Sequence, residues 1–192
     1  MPAYPMQVGF ATGAFVNSRV VICGGLYPFT SQCYSLGQNE TAWKPSGNLT
    51  TPRWGAASVE MDNKLVIFGG YLYDHLNATE EIDAETGTVS TGPTMPLGIA
   101  WHCAVKLNST TALIIGGDDG SSYLRSSYFY DVKAKTFTSG PLLMEGRRYH
   151  GCSILNTGTD SFVVVAGGYN GTYMDSTEVM DLNEPTMWKT GS

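Results

Sequence analysis

Histidine, cysteine and paired acids are the residues of this chain whose types could do chemistry, so their spacing decides what chemistry is open to it. Only three histidines occur, His75, His102 and His150, and no Cys-x-x-Cys pair accompanies them, which argues against a structural zinc site. The acids Glu80-Glu81 and Asp118-Asp119 are adjacent, a spacing that reads as solvated loop charge rather than an acid/base couple. No Ser-His-Asp arrangement is legible. The run "GGDDG" lacks both the strand-to-helix context and the Lys-Ser or Lys-Thr of a phosphate loop. The expectation is a chain with no catalytic residues, no metal and no cofactor, whose chemistry is that of binding.

Binding residues need a frame, and the frame is repeated. "VVICGG", "LVIFGG", "ALIIGG" and "VVVAGG" place the second glycine of each pair at Gly25, Gly70, Gly117 and Gly168, at intervals of 45, 47 and 51 residues. That period belongs to repeat architectures. Each apolar run is four to six residues long and rich in Val, Ile, Leu and Phe, which suits a buried strand, here strand b of a unit. Ahead of it, "GFATGAFVN", "GAASVEMDN", "HCAVKLNST" and "GCSILNTGT" read as strand a with its hairpin. Behind it, "QCYSL", "TEEID", "SSYFYD" and "STEVMD" read as strand c, and Trp43, Val89, Phe137 and Trp188 mark strand d. A four-stranded meander cannot bury both faces alone, so such units stack face to face as blades.

This pattern resembles kelch repeats, most clearly in "GGDDGSSYLRSSYFYDVKAKTFTSGPLLMEGRRYHGCSIL" and "GGYNGTYMDSTEVMDLNEPTMW". The resemblance implies an all-β, kelch-type β-propeller built of four-stranded antiparallel blades. The blades run approximately over 1–49, 50–95, 96–142 and 143–192. Units one and two depart from the pattern, with Leu36 where an Asp is expected and Val89 where a Trp is expected. Propellers of this kind close with six or seven blades, so the expectation is a segment of a larger propeller; a tight four-bladed ring and two copies closing together are the alternatives. The resemblance also gives His102 and His150 a structural role at one strand-a position.

In propellers the d-a and b-c loops gather on one face, and function sits on such loops. Here they supply Arg53, Trp54, Arg147, Arg148 and Tyr149 from d-a, and Tyr71, Asp118, Asp119, Tyr169 and Asn170 from b-c. Arginines beside aromatics are the composition of interface hot spots. Peptide-binding kelch domains direct arginine at the Arg53 and Arg147 positions toward an acidic ligand, and Val8 and Ile99 interrupt that ring here. A protein partner, an acidic peptide among them, or a glycan follows as the expected ligand.

Compartment is read from sequons and cysteines. Asn39, Asn48, Asn77, Asn108 and Asn170 each begin an Asn-x-Ser/Thr triplet. With nine Asn and 36 Ser and Thr in 192 residues, chance supplies about two such triplets. Cys23 and Cys33 lie on neighbouring strands b and c of one blade, within reach of a disulfide. Cys103 and Cys152 sit on strands a of adjacent blades with registers one residue apart, so they are expected to face opposite sides and stay free. A net charge of −6 with scattered Lys and Arg gives no basic stripe for nucleic acid. No apolar run reaches the roughly 18 residues that span a bilayer, and "MPAYPMQVGF" lacks the shape of a signal peptide. The expected setting is extracellular or at the cell surface, with cytoplasm as the alternative.

Three functions follow in order. The first is a non-catalytic interaction module, secreted or at the cell surface. The second is an intracellular substrate adaptor similar to the BTB-kelch receptors of cullin-RING ubiquitin ligases. The third is a carbohydrate-active enzyme on the kelch fold, although the residue sets of copper-radical oxidases and sialic-acid mutarotases cannot be placed on this sequence.

Overall fold

The computed structural model describes residues 1–191, and the regular elements among them are all strands. The chain divides into two compact units, Met1–Ala100 and the residues from Trp101 onward, each holding two four-stranded antiparallel sheets.

In the first unit, β1 (Thr12–Val16), β2 (Arg19–Cys23), β3 (Gln32–Gly37) and β4 (Lys44–Asn48) pair in chain order. The second sheet starts with β5 (Ala57–Met61) and β6 (Lys64–Phe68). A small loop ribbon, β7 (Tyr71–Leu72) and β8 (Asp74–His75), intervenes before β9 (Thr79–Asp83) and β10 (Val89–Thr91) complete it. The a-b turns are two-residue hairpins. Asn17 and Ser18 have φ of 47° and 63°, and Asp62 and Asn63 of 52° and 59°, the paired positive values of a type I′ turn whose twist matches the strands.

In the second unit, β11 (Cys103–Lys106), β12 (Thr111–Ile115), β13 (Ser127–Asp131) and β14 (Thr136–Ser139) form one meander. β15 (Gly151–Asn156), β16 (Ser161–Ala166), β17 (Thr177–Asp181) and β18 (Lys189–Thr190) form the other. The core of each unit lies between its two sheets. Val16, Val21, Leu65, Ile67 and Ile82 make the first, and Val105, Leu113, Ile115, Val163, Val165, Met180 and Trp188 the second. Each such side chain contributes about 1.5–3 kcal/mol of burial.

The glycine pairs sit where strand b must end under another segment. All eight pair glycines have positive φ, from 56° to 125°. At Gly168 a Cβ would come within 2.8 Å of the Arg148 carbonyl oxygen, so a side chain would push the d-a and b-c loops apart. The acid that closes strand c also has a local cause. Asp83 Oδ1 accepts the N–H groups of Glu85 and Thr86, and Asp131 Oδ1 those of Lys133 and Ala134, all at 2.8–3.0 Å. These bonds fold the c-d turn and hold both carboxyls below their ordinary range, led by the bonds from Thr86 and from Ala134. Where the first sheet has Leu36 instead, Glu40 takes over by accepting the Gly37 N–H at 2.9 Å and pairing with Arg19 and Lys44.

Two expectations from the sequence are corrected. Glu80 and Glu81 are not solvated loop charges, because they lie in β9 and are 0% and 3% exposed. Cys103 and Cys152 are not free: they are joined, with Cα atoms 6.1 Å apart. The one-residue offset that argued for separation is what unites them, since stacked sheets meet through opposite faces. Cys103 pairs with Ile115 and Cys152 with Val165 in their own sheets, and both of those partners belong to the core between the sheets. Cys23 and Cys33 are joined as expected, directly opposite each other on β2 and β3 with Cα atoms 4.1 Å apart.

Candidate functional site

The d-a loop of a sheet is pinned to its b-c loop by a two-bond bridge next to the glycine pair. In the first sheet Gly9 and Leu26 exchange N–H···O bonds of 2.9 and 2.8 Å. In the second, Trp54 and Tyr71 do so at 3.2 and 2.8 Å, and in the fourth Arg148 and Tyr169 at 3.1 and 2.8 Å. The bridge explains why residues far apart in sequence share one rigid surface.

One position past the bridge the chain turns left-handed. Phe10, Trp101 and Tyr149 have φ of 54°, 55° and 58°, and Gly55 holds the same place with φ 63°. The N–H of Tyr149 donates to the Trp101 carbonyl at 3.0 Å, and that of Gly55 to the Phe10 carbonyl at 3.3 Å. Bulky residues avoid this backbone region, at a cost of order 1–3 kcal/mol each. Strain of that kind gathers at functional positions, and here it turns large rings onto the loop face.

In the second unit those rings surround Arg148. Its guanidinium carbon lies 4.9 Å from the Tyr149 ring centroid, 5.1 Å from Tyr123, 5.2 Å from Trp101 and 5.5 Å from Tyr169. All four are within cation-π range. Its Nη1 donates to Asp118 Oδ2 at 3.2 Å, and Tyr169 packs edge-on against Tyr123 and Tyr173 at 5.6 and 5.4 Å. Tyr149 is 50% and Tyr173 90% exposed, so the cluster has a buried base and an open rim. The first unit carries its own aromatic chain: Phe10 against Trp54 at 5.4 Å, Trp54 against Tyr71 at 5.6 Å, and Tyr71 against His75 at 5.1 Å.

Two residues expected at this surface are placed elsewhere. Arg53 and Arg147 are 1% and 0% exposed, and neither can reach a ligand. Arg147 donates to the carbonyls of Gly167 and Ser176 at 2.8 and 3.2 Å and to Glu178 Oε1 at 2.8 Å. Arg53 repeats the arrangement with Gly69, Ala78 and Glu80. The physical reason is the unfilled carbonyls that each glycine pair leaves at the end of strand b, which a forked cation satisfies from inside the blade. Asp118, 7% exposed, serves Arg148 rather than solvent. Asp119 is half-buried, its Oδ1 accepting from the N–H groups of Ser121 and Ser122 at 2.8 Å. Trp54, Tyr71 and Tyr169 are half-buried, and Asn170 is exposed.

Sequence reasoning missed Trp101, Tyr123 and Tyr173. Aligning the repeats on their bridge would have found Trp101, which falls on the position of Tyr149; Tyr123 and Tyr173 depend on how each b-c loop folds back. His150 is 8% exposed. Burial first, and then the charge of Arg147, push its imidazole down to about 4 against backbone hydrogen bonds with Ile115 and Arg147. It is a neutral strut. Among the described residues no group of three or more His, Cys, Asp or Glu could hold a metal ion, and no helix is long and apolar enough to cross a membrane. All five sequon asparagines are exposed.

No curated protein matches the chain. The family model described as Kelch motif matches residues 52–96. Among solved structures 186 chains match; one is the structure of YjhT, 18% identical, aligned over 100% of this chain and 67% of that one with a TM-score of 0.81. At that identity the likeness concerns the fold. Repeated glycine pairs, four meandering sheets and the matched motif agree: the fold is that of kelch-type β-propeller blades, with a Kelch motif over residues 52–96.

Proposed function

We propose that this chain is a non-catalytic interaction module of an extracellular or cell-surface protein, taking a protein or glycan partner on its d-a and b-c loops. The observation that carries this reading is the Arg148 cluster, a preordered set of Tyr, Trp and Arg with Tyr149 and Tyr173 open to solvent. Rings and guanidinium already held in place lose little freedom on binding, and these residue types dominate interface energetics. Kelch motifs serve generally as protein-interaction repeats, which supports the same reading. An acidic peptide has no special claim, because the arginines that suggested it are spent on Glu80 and Glu178.

The arginine-paired acids support a binding role over catalysis. Glu80, Glu178 and Asp118 are each engaged by an arginine, whereas an acid/base couple needs carboxyls facing substrate. The compartment rests on two cysteine pairs, which persist where conditions are oxidising, and on the exposed sequons.

The test is secretion of the chain from eukaryotic cells, with intact mass read before and after glycosidase and thiol alkylation, followed by cell-surface binding of the wild type and of a Tyr149→Ala, Tyr173→Ala double variant. Glycan loss, four alkylation-resistant cysteines and binding that the double variant lacks support the proposal. An unglycosylated product with four reactive thiols would transfer it to the intracellular adaptor. Binding that survives the double variant would move the site off these loops.

A further inference from the structure

Asn170 stands between two rings of the candidate site. Tyr169, before it, lines the Arg148 cluster, and Tyr173, three residues on, packs against Tyr169 at 5.4 Å. The loop is tight: Tyr169 and Tyr173 are bridged, the Asn170 N–H donates to the Thr172 carbonyl at 3.1 Å, and Gly171 takes φ of 108°. The Asn170 side chain is exposed, its Oδ1 accepts the Thr172 hydroxyl at 3.5 Å, and Asn170-Gly171-Thr172 is an acceptor triplet for N-linked glycans.

We infer that Asn170 carries an N-linked glycan that covers the Tyr169–Tyr173 face of the site, so that modification controls access to it; this rests on the extracellular reading above. In the transfer, Asn170 Nδ2 attacks C1 of a polyprenyl-diphosphate-linked oligosaccharide. An N–C bond forms, the C1–O bond to the diphosphate breaks, the polyprenyl diphosphate leaves with the bonding electrons, and Nδ2 gives up one proton to water. The sugar stem then starts inside the loop that bridges the two rings, and a bulky hydrated group rooted there screens the rim on both sides.

Asn108 supplies the contrast. It lies in the hairpin between β11 and β12, at the opposite end of its sheet from the b-c loop, and its Oδ1 accepts the N–H groups of Thr110 and Thr111 at 2.9 Å. A glycan there leaves the rings uncovered.

The experiment needs no ligand. The full chain is secreted from glycosylating cells, glycopeptide masses are read at Asn170 and Asn108, and Tyr173 nitration by tetranitromethane is followed on the native protein before and after enzymatic removal of glycans. The expected result is an occupied Asn170 and Tyr173 nitration faster by about threefold or more once the glycan is gone. Asn170→Gln and Thr172→Ala should give the faster rate from the start, and Asn108→Gln should not. A bare Asn170 beside occupied Asn39 or Asn108 overturns this inference alone. So does an occupied Asn170 with unchanged nitration, whereas sequons that are bare throughout overturn it together with the extracellular reading.

Discussion

Arg147 and Glu178 meet at 2.8 Å with side chains 0% and 3% exposed, and Arg53 and Glu80 repeat the pair in the other unit with both side chains fully buried. Glu178 also accepts the N–H groups of Met144 and Glu145 at 2.7 and 3.2 Å, so one carboxylate ties the d-a loop to strand c. Glu178→Ala strands a buried guanidinium and should cost about 3–5 kcal/mol of unfolding free energy. The double variant Arg147→Met, Glu178→Gln removes the charges together while keeping an acceptor for Met144, and should cost only about 1–3 kcal/mol. Urea titration of both variants checks the order; equal losses would mean that the pair is not where the cost resides.

The two disulfides differ in span. Cys103–Cys152 closes 49 residues and Cys23–Cys33 only 10. Chain entropy then gives about 4 kcal/mol for the first and about 3 kcal/mol for the second. Denaturation of Cys103→Ser, Cys152→Ser against Cys23→Ser, Cys33→Ser should show the first pair losing more.

Acid should weaken the second unit through His150. Its folded pKa, about 4, lies below the ordinary imidazole value of 6.5, so the unfolded chain takes up a proton in this window and the folded chain does not. The stability due to His150 is whole above pH 6.5 and is lost as pH falls toward 4, by about 3 kcal/mol, with no further loss below that. A melting series from pH 7 to pH 4 should be flatter for His150→Gln, and parallel curves would refute the assignment.

The rim of the aromatic cluster should be separable from its base. Tyr173, 90% exposed, should tolerate Ala within about 0.5 kcal/mol of stability while partner binding falls about fivefold or more, as at interface hot spots. Arg148→Lys keeps the charge but loses the planar group held within 5.5 Å of four ring centroids, and should lower both stability and binding. Thermal melts and binding isotherms on the same samples decide.

The blades were legible because strand b, its glycine pair and the Asp of the c-d turn are local needs, met by residues adjacent in sequence. Asp83 and Asp131 hydrogen-bond backbone two and three residues on, and no tertiary knowledge is required to expect it. Arg147 and Glu178 are 31 residues apart, and nothing in "GRRYH" tells which arginine turns inward. The structure sends the first into the blade and the second among the rings. The same limit hid the bond between Cys103 and Cys152, because facing surfaces of stacked sheets invert the parity by which a single strand is read.

That bond has a use beyond folding. It joins β11 to β15 directly, and the exposed c-d and d-a segments of the third sheet, where Lys133 and Lys135 offer basic cleavage points, lie between its ends. A trypsin-like cut at either lysine would leave the two pieces on one covalent thread, migrating as a single species on a gel until a reductant is added. In protease-rich surroundings such a nick would scar the surface without shedding a fragment, and release would wait on reduction rather than on cleavage.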